Sequence, residues 1–462
     1  MPVTTDAGLL TVFKEWYTDK EMEQVLWRAS PVLREIKKNR VGGKTYNFAA
    51  NYGCGGAAAG DATVAATNAA SGTSKTVQFA CTPGQLFSIF NVGAQEVFAS
   101  ENIRGAFVPV PVIKMYDGTA AFRRLFATAL YGQGFGEIGN AVVATTVVGS
   151  QSVDFAQFST VIKLDIGSVF QVTNGATPVS TLRTSVNTVT AINGNVVTFT
   201  ATAVETWAAT DWIEIQGCRN GTTPLLPVGL TAWLPSLADR TGGTWTTYIG
   251  TAFYGVDRSV FPDRLAGNYI KRVTGTEKFC DCIVRAVKAV RNAGGNPTWL
   301  VINPDDYATV MTEMNTQTTY FQDTSTPAKG KVNEIARGVQ DTKYMFSTSY
   351  VDKVYDDPYC ARFTAYIIDE ESIEFAMLTN GDTPTNDGIS GVQPGSQPIN
   401  GVSTPDMKAI SYGFIIDDYV TIQPGSLAAG GPVLQVILQL YGTFAIRGPG
   451  HNAVINFVQA TL

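Results

Sequence analysis

The chain has a single histidine, His451, among 462 residues. That scarcity leaves little for histidine-dependent catalysis. A Ser-His-Asp or Cys-His arrangement would have to use His451, and no G-x-S-x-G turn supplies a nucleophile for it. A zinc site needs three or four His and Cys ligands at short spacings. The six cysteines (54, 81, 218, 280, 282 and 360) are scattered, and no C-x-x-C occurs. Cys280 and Cys282 form a C-x-C on a helical stretch, where i and i+2 do not face each other. Thiols used as small buried groups, in a reducing compartment, fit this pattern.

Charge is also scarce. Asp, Glu, Lys and Arg make up 16% of the chain, against about 25% in ordinary soluble domains. A surface short of charge is usually covered by a membrane or by another subunit. The most apolar run, PVLQVILQLYGTFAI (432–446), contains glutamines and a glycine and falls short of the roughly 18 clean apolar residues of a spanning helix. No secretory signal opens the sequence, because Asp6, Lys14 and Glu15 interrupt its apolar residues. Extensive subunit contact is the better inference. A net charge of −6 argues against binding nucleic acid through broad basic patches, and REIKKNR (34–40) reads as one solvated helix end.

Three motif fragments lack their context. Gly134-Phe-Gly136-Glu-Ile-Gly139 matches the dinucleotide G-x-G-x-x-G but follows a helix and precedes strands, the reverse of the required order. It reads as a helix stop and turn. Gly43-Lys44-Thr45 resembles the end of a P-loop, but Lys38 stands where a glycine is needed. The pairs Asp305-Asp306, Asp356-Asp357 and Asp417-Asp418 are adjacent residues that diverge on a helix or a strand, so none is a ready acid/base pair. No enzyme and no cofactor is expected.

What is present is organised in blocks. Leu9, Leu10, Phe13, Trp16 and Tyr17 recur at helical spacing, and Thr18 to Glu21 offers a capping box. Ser30-Pro31 reads as the N-cap and first position of a helix ending near Arg40. Next come KTYNFAANYG, a run of small residues (53–74, GCGGAAAGDATVAATNAASGTS), KTVQFACT and QLFSIFNVGA. These describe a long hairpin with a flexible tip. Past Pro109 and Pro111, residues Phe122, Leu125, Phe126, Ala129 and Leu130 follow a helical template, with Arg123 and Arg124 off that face. From 141 to 220 Val and Thr dominate, and Asn193-Gly194 is a strong hairpin signal. That region suggests a small inserted β-barrel or roll. Val197 and Phe199 would face one side, Thr198 and Thr200 the other. An amphipathic helix over 276–293, a buried strand TWLVIN and a helix capped by Asn303-Pro304 follow. Residues 379–406 read as a long loop, and the chain ends on strand-like segments.

The order of these blocks resembles the major capsid proteins of tailed bacteriophages, with the Hong Kong 97-type shell fold. The opening TTDAGLLTVFKEWYTDKEMEQVLWRASPVLREIKKNRVGGKTYNFAANYG carries the resemblance. So do FRRLFATALYGQGFGEIG, YIGTAFYGVDRSVFPDRLAGN, VRAVKAVRNAGGNPTWLVINPDDYATVM and LQLYGTFAIRGPGHNAVINF. Apart from 141–220 it spans nearly the whole chain. The implied class is α+β: an N-arm (1–43), an E-loop hairpin (44–100), a peripheral domain (101–140) with a spine helix over 115–132, and an inserted all-β, barrel-like domain (141–220). The peripheral domain would resume over 221–269, an axial domain would span 270–433, and the closing strands (434–462) would return to the peripheral domain.

The resemblance implies a structural protein that self-assembles as hexamers and pentamers into an icosahedral shell. The shell would enclose double-stranded DNA without sequence-specific contacts. Implied partners are other copies of the chain, a portal protein, and scaffold or decoration proteins, with no membrane. The location would be the virion capsid, assembled in the host cytoplasm. No scaffolding helix precedes the N-arm, which implies a separate scaffold or none. Expected inter-subunit contacts are Phe13, Trp16 and Tyr17 on the arm, Ala58, Ala59, Asp61, Val64 and Ala66 at the tip, and Arg123 and Arg124 on the spine helix. Two alternatives stay open: an encapsulin-like nanocompartment shell, and a carbohydrate-binding or adhesive β-rich protein suggested by 141–220.

Overall fold

The computed structural model describes residues 30–41, 43–53, 58–71, 75–93, 110–140, 145–155, 157–175, 180–236, 249, 252–273, 277–317, 344–345, 350–378, 414–416, 420–424 and 433–457. Phe13, Trp16, Tyr17 and the 379–406 loop lie outside them. The described residues form a mixed α+β structure built on three sheets.

One sheet is organised by the long strand Val433–Ile446. It pairs antiparallel with Gly84–Gly93 along its first ten residues, with Val420–Pro424 in its middle and with Ile373–Leu378 at its end. The helix Val110–Leu130 lies against Gly84–Gly93, where the Ser88 hydroxyl donates to the Gly118 carbonyl at 3.0 Å. Phe126 meets Phe375 and Phe444 at ring distances of 5.2 and 5.7 Å. Pro111 sits in the first turn, where a missing N–H costs nothing, so the helix starts at Val110, earlier than 115.

The segment read as a helix to Arg40 is helical only over Pro31–Glu35; Lys37–Val41 is a strand, parallel to Ile373–Leu378. Backbone pairing to a distant segment overrides local helix propensity here. The Ser30 hydroxyl makes no cap bond. It donates instead to buried Asp357, which also accepts from the Tyr131 hydroxyl (2.7 Å) and the Tyr359 amide (3.0 Å).

A second sheet has the order Asn268–Lys271, Ala453–Asn456, Thr364–Ile368, Trp299–Ile302 and Lys353–Asp356. Its central strands are apolar on both faces, and each face has its own core. Trp299, Val301, Tyr366, Ile368 and Val454 point into the main core. Leu300, Ile302, Ala365, Ile367, Ala453 and Ile455 meet Ile283, Ala286, Val287 and Val290 of the helix Phe279–Asn292. Such two-sided burial is why TWLVIN is a continuous apolar run. The closing residues 434–462 do not travel together: Val433–Ile446 belongs to the first sheet and Ala453–Asn456 to the second.

After the second sheet's Trp299–Ile302, Asn303 caps the helix Pro304–Gln317, its side chain accepting from the Asp305 amide at 3.1 Å. Asp306 is buried within the first turn and accepts from the amide of Phe363, whose φ is +58°. Burial pushes the Asp306 carboxyl up to about 6, against the Phe363 amide and Arg362, which pull it down. The folded state therefore holds this proton more tightly than the unfolded chain, and stability falls as pH rises from about 4 to about 6. Asp306→Asn keeps an acceptor for Phe363 and removes the charge. It is expected to gain about 1–2 kcal/mol at pH 7 and to flatten that slope, as read by urea unfolding at a series of pH values. An unchanged slope would show that Asp306 does not titrate in this window.

The third sheet is antiparallel, in the order Glu137–Asn140, Trp212–Ile215, Val169–Val172, Asn187–Asn193, Val196–Ala201 and Ser150–Asp154. Val197 and Phe199 are buried, Thr198 is half-buried and Thr200 exposed. Asn193 pairs with Val196, so the two-residue turn is Gly194-Asn195, one position later than the Asn193-Gly194 signal, with Gly194 at φ +60°. Among the described residues the sheet is open, not a closed barrel: Glu137–Asn140 and Ser150–Asp154 are its edges. The ribbon of Thr145–Val147 and Glu205–Trp207 adds Trp207 to its core, 5.4 Å from Phe199. Backbone bonds lock this unit to the helix end: the Leu226 amide donates to Gly134 and the Gly229 amide to Gly132, each at 3.1 Å. The G-x-G-x-x-G stretch is thus a helix stop. Gly134, at φ +97°, packs against Pro224 and Leu226 without room for a side chain.

Candidate assembly surfaces

The strands Tyr46–Gly53 and Lys75–Cys81 pair antiparallel and carry the small-residue run between them. The base of this hairpin is fixed by aromatic packing. Phe48 stacks on Phe79 at 5.3 Å, and Phe79 meets Trp233 at 5.4 Å, which in turn meets Phe253 at 4.9 Å. Arg258 braces that cluster from inside. Fully buried, its guanidinium lies 3.8 Å from the centre of the Phe253 ring. It donates to the carbonyls of Ile249, Trp233 and Ala232 at 2.8, 2.9 and 2.8 Å. On the other side, Glu374 accepts from Arg447 Nε at 2.6 Å and from the hydroxyl of Tyr46. Burial, and then this carboxylate, raises the Tyr46 phenol. Every one of these ties lies near Tyr46 and Phe79. Toward the tip, Asn51, Lys75 and Thr76 are exposed.

The tip is more ordered than its composition suggests. Ala62–Ser71 is a helix. Asp61 caps it, accepting from the Thr63 and Val64 amides at 2.7 and 3.2 Å, and those bonds lower its carboxyl pKa. The signal was in the sequence: an Asp before an alanine-rich run is an N-cap before the best helix former. Yet most of its described side chains are exposed. Ala58, Ala59, Asp61, Val64 and Ala66 are all exposed, with Val64 at 50%. A helix of this length is marginal in water without a surface to pack on.

The remaining proposed contacts separate. Arg123 is exposed, whereas Arg124 is turned inward and pairs with Asp165 of the all-β unit at 2.6 Å. Helical periodicity places both on the outer face, but the segment carrying Asp165 covers Arg124. Two apolar surfaces had not been singled out. Phe87 and Tyr441, on paired strands, meet edge to face at 5.7 Å and are exposed, beside exposed Ile89. Val260 and Phe261 form a second exposed pair. The first was legible: in QLFSIFNVGA, Leu86 faces the core while Phe87 and Ile89 make the opposite face apolar too. A strand apolar on both faces expects cover on both.

The five described cysteines are buried free thiols. Burial pushes Cys280 and Cys282 up to about 12 and raises Cys81, Cys218 and Cys360 as well. These are packing groups. Among the described residues, no helix is long and apolar enough to cross a membrane.

No family model and no curated protein matches the sequence. Solved structures do match the fold. The capsid of cyanophage A-1(L) superposes with a TM-score of 0.52 at 12% identity, over 97% of this chain and 97% of that one. Two others align over nearly full length at lower scores. The capsid of a native GTA particle has a TM-score of 0.42 at 8% identity, over 99% of this chain and 98% of that one. An encapsulin complex from Synechococcus elongatus has 0.43 at 7%, over 99% and 97%. The fold correspondence rests on the cyanophage capsid: over nearly its whole length, this chain has the α+β fold of a phage capsid protein.

Proposed function

We propose that the chain is the major capsid protein of a tailed bacteriophage, assembling as hexamers and pentamers into an icosahedral shell around double-stranded DNA. The observation that carries this reading is the whole-chain fold correspondence with a phage capsid. The capped helix Ala62–Ser71, with Ala62, Thr63, Val64, Ala66 and Thr67 exposed, supports it. In this reading the hairpin 44–100 is an E-loop whose tip lies on the next subunit, through Ala58, Ala59, Asp61, Val64 and Ala66. Residues 1–43 are the N-arm, with Phe13, Trp16 and Tyr17 as contacts, and Arg123 faces a neighbour. Helix Val110–Leu130 is the spine of a peripheral domain, and the region around Phe279–Asn292 belongs to an axial domain. A portal protein completes the particle, with scaffold or decoration proteins as the further partners of this reading, and the particle forms in the host cytoplasm. Low surface charge suits a subunit whose surface is largely interface.

Negative-stain microscopy of the purified chain, alone and with a scaffold, tests this. Closed particles or ring-shaped capsomers are expected. A uniform small monomer at high concentration under both conditions would overturn it. Nuclease-resistant DNA inside particles from infected cells separates a virion shell from a nanocompartment, which would hold protein cargo.

A further inference from the structure

The net charge of −6 is unevenly placed. Residues 271–292 hold six cations (Lys271, Arg272, Lys278, Arg285, Lys288 and Arg291) and two acids (Glu277 and Asp281), a net of +4. The other 440 residues therefore carry −10. The structure sets three of these cations on one exposed helix face. In the helix Phe279–Asn292, Cys282, Ile283, Ala286, Val287 and Val290 face the second sheet, and helical periodicity turns Arg285, Lys288 and Arg291 to the opposite, exposed side. The Arg285 guanidinium reaches the Lys271 carbonyl at 3.4 Å, which joins the end of the strand Asn268–Lys271 to the same face.

The two acids within 271–292 are already engaged. Glu277 accepts from Arg285 at 2.6 and 2.7 Å and from the Val273 amide at 2.8 Å. Asp281 accepts from the Lys278 amide at 3.4 Å, at the start of the helix. Among the described residues, Lys271, Lys288 and Arg291 enter no ion pair with an acid. From Arg285 to Arg291 the helix rises about 9 Å, enough to set its cations against two or three successive phosphates of one strand.

We propose that this face binds the sugar–phosphate backbone of double-stranded nucleic acid, without reading its sequence. The assignment rests on the shell reading for its biological partner and adds which face of the subunit is turned toward the enclosed DNA. The surface offers exposed ammonium and guanidinium charges, so its contacts are to phosphate and its affinity falls with salt. The negative remainder of the chain keeps the binding weak and local.

The test measures binding of the purified chain to a random-sequence duplex as a function of salt. Each phosphate contact contributes about 0.9 to the slope of log K against log salt. The double variant Lys288→Glu with Arg291→Glu is expected to lower that slope by about 2. The neutral pair Lys288→Gln with Arg291→Gln should do the same, with unfolding midpoints unchanged because both residues are exposed. Reversing Lys37 and Lys38 on the strand Lys37–Val41 should leave the slope alone. A wild-type slope in both double variants would overturn the proposal, as would loss of self-association with DNA binding intact, which would assign the face to a second copy. Particles that form normally with an unchanged slope sink only this inference. A shifted slope without particles sinks only the shell.

Discussion

Replacing residues 53–74 with Asn-Gly is expected to give a folded subunit that forms no closed particles. The ties that fix the hairpin, from Phe48 and Phe79 to Trp233 and from Tyr46 to Glu374, all lie outside the deletion. What is removed is a helix whose Ala62, Thr63, Val64, Ala66 and Thr67 are exposed. Little apolar burial is lost, and the unfolding free energy should change by no more than about 0.5 kcal/mol. Assembly should drop sharply, because the tip is the proposed contact between the hairpin and a neighbour. Val64→Asp with Ala66→Asp is the finer version. It keeps the Asp61 cap and places charges on the docking face, where desolvating each is costly. Light scattering under assembly conditions measures both variants, with circular dichroism to confirm folding. Wild-type assembly by either would refute the role given to the tip.

Arg258→Leu is expected to destabilise the subunit by about 3 kcal/mol or more. The guanidinium is fully buried and donates to three backbone carbonyls, those of Ala232, Trp233 and Ile249. Leucine fills part of the volume and leaves these acceptors buried without their donor, at roughly 1–3 kcal/mol each before relaxation. It also removes the cation from the Phe253 ring, 3.8 Å from the guanidinium carbon. Arg258→Lys should recover only part of the loss, because one ammonium cannot span the same three carbonyls. Urea unfolding followed by tryptophan fluorescence reads this, since Trp233 sits in the braced cluster. A loss below about 1 kcal/mol would show that the neighbouring aromatic packing holds the hairpin base unaided.

These two sites differ in how visible they are along the chain. The tip helix has local causes, an Asp cap and alanine-rich propensity, and it escaped notice because glycine, serine and threonine on either side suggested a floppy loop. Arg258 carries no local signal. In YGVDRSVFPDRL it looks like any surface arginine, and only the approach of residues 232–233 and 249 makes it a buried brace. Arg124 shows the same gap. Its helix position reads as solvent-facing, but Asp165, 41 residues later, folds back to pair with it. Lys37–Val41 was read as the end of a helix because its neighbours before Ile36 are helical. Its actual partner, Ile373–Leu378, lies more than three hundred residues away.

By itself, the sequence determined the elements whose causes are local. The amphipathic helix Phe279–Asn292, the two-sided strand Trp299–Ile302, the Asn303 cap and the Val/Thr alternation of the third sheet follow from periods of 3.6 and 2 and from capping chemistry. The order of its blocks also carried the resemblance to phage capsid proteins. Only the tertiary structure decided how the strands combine: that Val433–Ile446 and Ala453–Asn456 go to different sheets, that the third sheet is open among the described residues, and that the end of the strand Asn268–Lys271 meets Arg285. The physical reason is one of range. Propensity and periodicity act over a few residues, whereas strand pairing and charge clustering are set by segments that meet only after the chain has folded back on itself.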